Sequence, residues 1–235
     1  MRVSVVIPTR NEAQAIDRVL ADLPSDQVTE VIVVDNNSTD RTAEIAARMG
    51  ARVVSEARRG YGQACLTGIA SAHAPDVVVF LDGDYSDRPA ELPLLLTPIA
   101  EGHADITIGS RLAGPRIPGA FPWHARFGNW LAAGLIRKLY GVNITDLGPF
   151  RAVRADVLRV VDLEETTYGW AVELILKGAT QGLRIVEVPI SYYPRIGKSK
   201  ISGTLKGTIG ATWFILSRIA LYYFRQRKHS APQSA

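Results

Sequence analysis

The first 110 residues alternate between two hydrophobic periods. Short apolar runs rich in Val and Ile, at 3–7, 31–34, 52–55, 77–81 and 105–109, read as strands. The stretches between them, 12–23, 40–49, 62–73 and 91–101, carry apolar residues at helical spacing. In the first of these, Ala15, Ile16, Val19 and Leu20 share one face. Ser38-Thr39-Asp40 supplies an N-cap for the second, and Gly50 fits the C′ position that ends it. Val77-Val78-Val79-Phe80-Leu81 has no polar alternation, as expected of a strand covered on both faces. Strands alternating with helices predict an α/β fold with a mostly parallel central sheet, helices on both faces and right-handed crossovers.

The second half is less regular. Residues 114–122 hold three prolines and two glycines and read as a loop. Helices are expected over 126–140, 156–161 and 169–181, a strand over 183–188, and a basic Gly/Ser-containing loop over 195–203. Residues 208–224 form a strongly apolar helix with Trp213, Phe214, Ile215, Leu216, Ile219, Leu221, Tyr222, Tyr223 and Phe224. It falls short of the roughly 20 apolar residues that span a bilayer. Its aromatics and the flanking Arg225, Arg227 and Lys228 suit the surface of an anionic leaflet. The alternative is packing on the domain or on a second subunit, in a homodimer. The expected organisation is one domain over 1–205, an interfacial helix over 206–225 and a disordered basic, polar tail over 226–235.

Composition narrows the function classes. Of 235 residues 47% are hydrophobic and 21% charged, which excludes a disordered chain. The net charge of +4 comes from scattered basic residues with no nucleic-acid motif, so nucleic acid is not an expected partner. The single cysteine, Cys65, excludes an intrachain disulfide and a multi-cysteine zinc site. Met1-Arg2 runs directly into the first strand and Pro8, too short for a secretory signal, so a cytoplasmic location is expected.

The candidate chemistry lies at the carboxyl ends of the strands, where open α/β sheets bind ligands. Asp82-Gly83-Asp84 ends the fourth strand. Two carboxylates there suit a hard divalent cation on substrate phosphates, and Gly83 permits close approach. Pro8-Thr9-Arg10-Asn11-Glu12 follows the first strand and Asp35-Asn36-Asn37-Ser38-Thr39-Asp40 the second. Each has a plainer reading, as a capped helix start and an Asx turn. Arg58-Arg59-Gly60-Tyr61-Gly62 precedes a helix and could offer amides and charge to phosphate. Neither a Walker loop nor a Rossmann fingerprint is present. Glu173, among Trp170, Leu174 and Leu176, either faces the active site or is paired with an arginine. The four histidines are isolated and none reads as a metal ligand.

Together these segments resemble the family 2 glycosyltransferases of GT-A fold. The matching pieces are residues 5–12, 33–40, 60–64 and 81–89, in the family's order and spacing. Gly109-Ser110-Arg111, Gly128-Asn129, residues 146–152 and Arg195-Ile196-Gly197-Lys198-Ser199-Lys200 look most like the polyprenyl- or dolichyl-phosphate sugar synthase branch. The resemblance implies a nucleotide-sugar-binding domain in which Pro8, Arg10 and Glu12 line the nucleotide site and Asp35 contacts the base. It implies that Asp82 and Asp84 hold a divalent metal, Mg2+ or Mn2+, and that Arg195 and Lys200 close over the donor diphosphate. Ser86 stands where relatives often have a metal-binding glutamine. The implied reaction is inverting transfer of a hexose from UDP- or GDP-hexose to a polyprenyl phosphate, at the cytoplasmic face of the membrane.

The leaving nucleoside diphosphate gathers negative charge, which a metal and fixed cations stabilise. A phosphate acceptor is already ionised, whereas a hydroxyl acceptor needs a general base. Arg111 and Arg126 are the candidates for an acceptor phosphate, since arginine forks match phosphate. Asp84, Arg111 and Glu173 are the residues on which turnover is expected to depend. Rival readings are transfer to a soluble or protein-linked hydroxyl, a nucleotidyltransferase, and an inactive nucleotide-sugar-binding protein. The nucleotidyltransferase predicts a Gly-rich loop after the first strand, which the chain lacks.

Overall fold

The expected strands pair into one seven-stranded sheet in a computed structural model that describes residues 1–197 and the backbone of 205–230, with side chains over 210–224 of that last segment. Lys200 lies outside the described residues. The strands are β1 Val3–Thr9, β2 Glu30–Asp35, β3 Arg52–Ser55, β4 Val77–Phe80, β5 Ile106–Ser110, β6 Arg151–Arg154 and β7 Ile185–Pro189. Their spatial order is β3-β2-β1-β4-β6-β5-β7. β1 pairs parallel with both β2 and β4, so Val5 lies beside Val31 and Val79. The chain therefore builds outward from β1 to β3, then returns to β4 on the other flank of β1. Loops after β1 and β4 face each other across that reversal, which is where open sheets form a crevice.

The helices are α1 Ile16–Ala21, α2 Thr42–Arg48, α3 Tyr61–Ser71, α4 Leu92–Ala100, α5 Trp123–Tyr140, α6 Ala155–Val161, α7 Trp170–Thr180 and α8 Leu205–Ser230. Alternate strand residues enter opposite layers, as the pleat requires. Val5, Ile7, Val33, Val79 and Leu81 pack with Ile16, Val19, Ala46 and Leu92 under α1, α2 and α4. Val6, Ile32, Val34, Val78 and Phe80 pack with Ala64, Ile136, Val157, Trp170 and Ile219 under α3 and α5 to α8.

Three expectations are corrected. β6 is a strand that the sequence hides, because its first residue, Arg151, is a fully buried cation. Its guanidinium donates to the carbonyls of Ala171, Leu147 and Gly148, so a charge that reads as surface is consumed inside. β6 is antiparallel to both β4 and β5, the one reversal in the sheet among the described residues. α1 starts at Ile16 rather than residue 12, since 12–15 turn on the Ala15 amide to the Glu12 carbonyl. α8 extends past 224 to Ser230, through half of the tail expected to be disordered. Among the described residues no helix is long and apolar enough to cross a membrane.

Candidate active site

A cavity of about 500 Å³ opens at the carboxyl edge of the sheet. Pro8, Thr9, Arg10 and Glu12 reach it from the loop after β1, and Asp82, Gly83, Asp84 and Ser86 from the loop after β4. Tyr61 and Ala64 of α3 form another wall, and Arg111, Leu147, Tyr168, Tyr192 and Arg195 complete it. Gly83 lets the two loops meet: a Cβ there would stand 2.9 Å from Thr9 Cγ2 and 3.4 Å from Glu12 Cγ.

Asp84 is buried and fully engaged. Its Oδ1 accepts hydrogen bonds from the Ser86 amide at 2.9 Å and the Ser86 hydroxyl at 2.6 Å. Its Oδ2 meets Arg195 Nη2 at 2.6 Å, and the same nitrogen is 3.8 Å from Glu12 Oε1. Ser86 thus fixes the rotamer of Asp84. Asp82 Oδ1 is buried with no hydrogen-bond partner among the described residues. Burial and the nearby Asp84 push the Asp82 carboxyl up to about 7, against the pull of Arg195 and the Tyr61 hydroxyl. Two crowded carboxylates, one oxygen unsatisfied, and a single arginine drawn onto Asp84 and Glu12 make a place that a divalent cation fits. No cluster of three or more His, Cys, Asp or Glu able to hold a metal occurs among the described residues. Diphosphate oxygens and water would have to complete the shell of an ion at this pair.

Arg111 ends up on a fixed mount. Its Nε and Nη2 bind Asp146 at 2.8 and 2.7 Å, and its backbone amide binds the same carboxylate at 2.8 Å. Asp146 is wholly buried. The guanidinium lies 4.4 Å over the Phe121 ring and 5.2 Å from that of Tyr192. Burial would lower its pKa, but the Asp146 charge and hydrogen bonds hold it above the ordinary arginine value. Asp87 sits buried nearby with neither carboxylate oxygen hydrogen-bonded among the described residues. Its burial pushes its pKa well up, opposed by Arg111.

The other site residues divide. Arg10 lines the cavity, and its Nε is buried with no partner among the described residues. Asp35 ends β2 with a buried, unpartnered Oδ1, but Asn36, not Asp35, lines the cavity. Asn36 shapes the wall. Its Nδ2 donates to the carbonyls of Glu56 at 3.0 Å and Arg58 at 2.7 Å, and its Oδ1 accepts from the Gly60 amide at 2.9 Å. Several amides of the 58–63 segment are already engaged within the protein: those of Arg58 and Gly60 donate to the side chains of Glu56 and Asn36. Gly62 and Gln63 donate to the carbonyls of Thr167 and Thr166 at 3.1 and 2.8 Å.

Two expected site residues are elsewhere. Arg126 is exposed on the first turn of α5 and does not line the cavity, because α5 starts at Trp123 and turns position 126 to solvent. Glu173 is buried on α7 but committed to structure. It accepts from the amides of Glu164 at 3.1 Å and Glu165 at 2.8 Å, the Tyr222 hydroxyl at 2.8 Å and Lys177 Nζ at 2.9 Å. Its partner is a lysine, not the arginine the sequence suggested. Sequence reasoning named Tyr61 only as part of the 58–62 loop and did not single out the aromatic walls Tyr168 and Tyr192, because nothing in their local pattern distinguishes them from core tyrosines.

A glycosyl transferase family 2 model matches residues 4–161, more than half of the chain, including the loops after β1, β2 and β4. The chain belongs to that family. An uncharacterized glycosyltransferase of Mycobacterium tuberculosis is 38% identical over 92% of this chain and 98% of its own length. The undecaprenyl-phosphate mannosyltransferase of Micrococcus luteus is 37% identical over 88% of this chain and 90% of its own. The dolichyl-phosphate hexose transferase of Haloferax volcanii is 38% identical over 84% and 86%. Among solved structures, glucosyl-3-phosphoglycerate synthase of Mycobacterium tuberculosis, in complex with Mn2+, UDP-glucose and phosphoglyceric acid, superposes with a TM-score of 0.75. It is 25% identical over 94% of this chain and 79% of its own. The relatives thus include enzymes named for lipid-phosphate acceptors as well as a structural neighbour holding a soluble phosphorylated acid.

Proposed function

We propose that this family 2 glycosyltransferase moves a hexose, with inversion, from a UDP- or GDP-hexose to a polyprenyl phosphate. The reaction takes place on the cytoplasmic membrane face, where the chain sits peripherally with α8 in the interface. The observation that carries this reading is that, among the described residues, the cavity lining holds no spare carboxylate or imidazole base. The acidic side chains lining it are Glu12, Asp82 and Asp84. Asp84 and Glu12 face Arg195, and Asp82 and Asp84 are the pair suited to a metal. A hydroxyl acceptor would need a general base within hydrogen-bond reach, whereas a phosphate monoester arrives ionised.

In this reading Asp82 and Asp84 would hold a divalent ion, which would supply positive charge for the leaving diphosphate. Ser86 keeps Asp84 oriented, and Arg195 adds a cation on the same side. Arg10, Glu12 and Asn36 shape the nucleotide end, and Asp35 stands at the base end. Arg111, immobilised by Asp146, presents the N–H groups that Asp146 leaves free to the acceptor phosphate. The acceptor oxygen forms the new bond to the anomeric carbon as the bond to the β-phosphate oxygen breaks, so nucleoside diphosphate leaves and no proton needs to move.

The test is a panel of nucleotide hexoses with Mg2+ or Mn2+ and three acceptors: a short polyprenyl phosphate, the matching neutral polyprenol and 3-phosphoglycerate. Nucleoside diphosphate release should require metal and be fastest with the polyprenyl phosphate, and Asp84→Asn should remove most of it. Preference for 3-phosphoglycerate would replace the acceptor, and comparable transfer to the neutral alcohol would refute the argument from the missing base. Full activity of Asp84→Asn in chelator would refute the metal assignment.

A further inference from the structure

α5 and α8 carry most of the large apolar side chains left in solvent. Trp123, Phe127 and Trp130 are 74%, 58% and 61% exposed, and on α8 Trp213 is 74% exposed. Positions 123, 127 and 130 follow helical spacing, so the three rings form one stripe. Trp213 and Phe224, three turns apart, mark the corresponding stripe of α8. Three of the chain's four tryptophans are thus on the surface, and Trp170 alone is buried.

The two stripes lie side by side. A Cβ on Gly128 would stand 2.4 Å from Thr212 Oγ1, and the Tyr140 hydroxyl reaches the Ile219 carbonyl at 3.3 Å. Those contacts ascend together along both chains, so α5 and α8 run in the same direction. Their buried sides, Ala132 and Ile136 on one and Ile219 on the other, join the same core layer, which turns both aromatic stripes outward together.

Charge on this face has one sign. Arg126, Arg137 and Lys138 are exposed on α5, and neither α5 nor α8 contains an Asp or Glu in its sequence. A second copy of the chain docked by a two-fold axis would bring like charges together. An anionic bilayer opposes them with phosphates and takes the indole rings at headgroup depth.

The face also adjoins the cavity. Phe121, on which the Arg111 guanidinium stacks, is two residues before Trp123, within about 7 Å of chain. We infer that the Trp123–Phe127–Trp130 stripe of α5, flanked by α8, is a seat for an anionic phospholipid surface that sets the mouth of the cavity at headgroup level. The purpose of the seat rests on the acceptor reading above, while the seat itself does not. It also gives Arg126 a role, as a headgroup contact beside the rings.

The full-length protein should sediment with phosphatidylcholine vesicles that contain phosphatidylglycerol and not with phosphatidylcholine alone. Its tryptophan fluorescence should be quenched by bromine-labelled lipid in the same vesicles. Raising salt from roughly 0.1 M to roughly 1 M shortens the Debye length from about 10 Å to about 3 Å and should weaken the binding. Combining Trp123→Ala, Phe127→Ala and Trp130→Ala should reduce vesicle affinity by roughly tenfold or more. Metal-dependent hydrolysis of the donor in vesicle-free buffer should be unchanged, because these side chains touch neither the cavity nor the core.

The inference is overturned if the parent ignores anionic vesicles, or if the triple variant binds them as the parent does. It is also overturned if the parent is a dimer that the triple variant splits, which would make this face a subunit seam. The vesicles hold no polyprenyl phosphate, so loss of binding with retained transfer to a short, soluble polyprenyl phosphate would remove the seat and leave the acceptor reading standing.

Discussion

Replacing Glu173 by alanine separates a structural carboxylate from a catalytic one. The side chain is 1% exposed and accepts from two backbone amides, a tyrosine hydroxyl and a lysine. After truncation Lys177 still donates to the Asp162 carbonyl, so its loss is small. The amides of Glu164 and Glu165 and the Tyr222 hydroxyl lose their common acceptor, and each unpaired buried donor costs about 1–3 kcal/mol. Water reaches the partly exposed 163–166 segment, which favours the lower end, so the sum is about 3–5 kcal/mol, as for other broken buried pairs. In a chain of this size that is a fall in Tm of about 6–20 °C.

The pH dependence has a definite sign. Burial pushes the Glu173 carboxyl up, but the Glu165 amide, Lys177 and Tyr222 outweigh it and hold it below the ordinary 4.5. A lowered pKa contributes stability that is complete above that value and is lost as the pH falls through the folded-state pKa. Urea unfolding near neutrality, compared with the same measurement near pH 4, should therefore show the parent losing part of its advantage over Glu173→Ala. Initial rates, taken at a temperature where both remain folded, should agree within a few-fold. A variant as stable as the parent to within about 1 kcal/mol, with turnover reduced by the 10²–10⁴-fold expected for a missing general base, would refute the structural assignment.

Arg111→Ala should slow transfer to polyprenyl phosphate by about ten- to several hundred-fold, the loss of a charge-assisted contact of roughly 1.5–3 kcal/mol, and spare slow donor hydrolysis. Parallel measurement of both activities checks this, and equal loss would assign Arg111 to the donor or the fold. Gly62→Ala places a Cβ 2.2 Å from the Glu165 carbonyl oxygen and 2.8 Å from Trp170 Cβ. The gain of up to about 1 kcal/mol in helix propensity is then exceeded by an overpacking cost of about 1–3 kcal/mol, and thermal unfolding should show a lower Tm.

The sheet was legible where apolar runs are unbroken. β1, β2, β4 and β5 follow from Val and Ile content alone, because strands buried on both faces have no polar alternation to dilute the signal. β6 was not legible, since Arg151 and Arg154 bracket two residues and the burial of Arg151 depends on carbonyls from α7 and the 147–148 loop. The end of α8 was missed for a related reason: the polar composition of 226–230 argues against order, yet the helix continues through it. Glu173 was half legible. Its burial followed from apolar neighbours, but its donors come from loop amides and α8, which no local pattern announces.

On the proposed reading, the donor and acceptor sides of the cavity differ in the same way, and the difference is physical. Donor-side groups lie within a few residues of strand ends, so backbone register positions them: Thr9 pairs with Asp35, and Asp35 with Ser55. Any chain that forms those strands must bring Arg10, Asn36 and Asp82 to one edge. The acceptor side has no such register. Arg111 takes its place from Asp146, 35 residues away, and from rings at 121 and 192. Its guanidinium is held by two hydrogen bonds and two rings, with a third bond from its backbone amide to the same carboxylate, whereas Arg195 reaches Asp84 through one nitrogen and keeps 30% of its side chain in solvent. A cation preset by a buried carboxylate loses little entropy when a phosphate arrives. A cation that reaches Asp84 through one nitrogen can yield its place there to a stronger one. On the proposed reading the two arginines are therefore suited to different duties, Arg111 as a fixed phosphate mount and Arg195 as a cation that can follow the donor diphosphate.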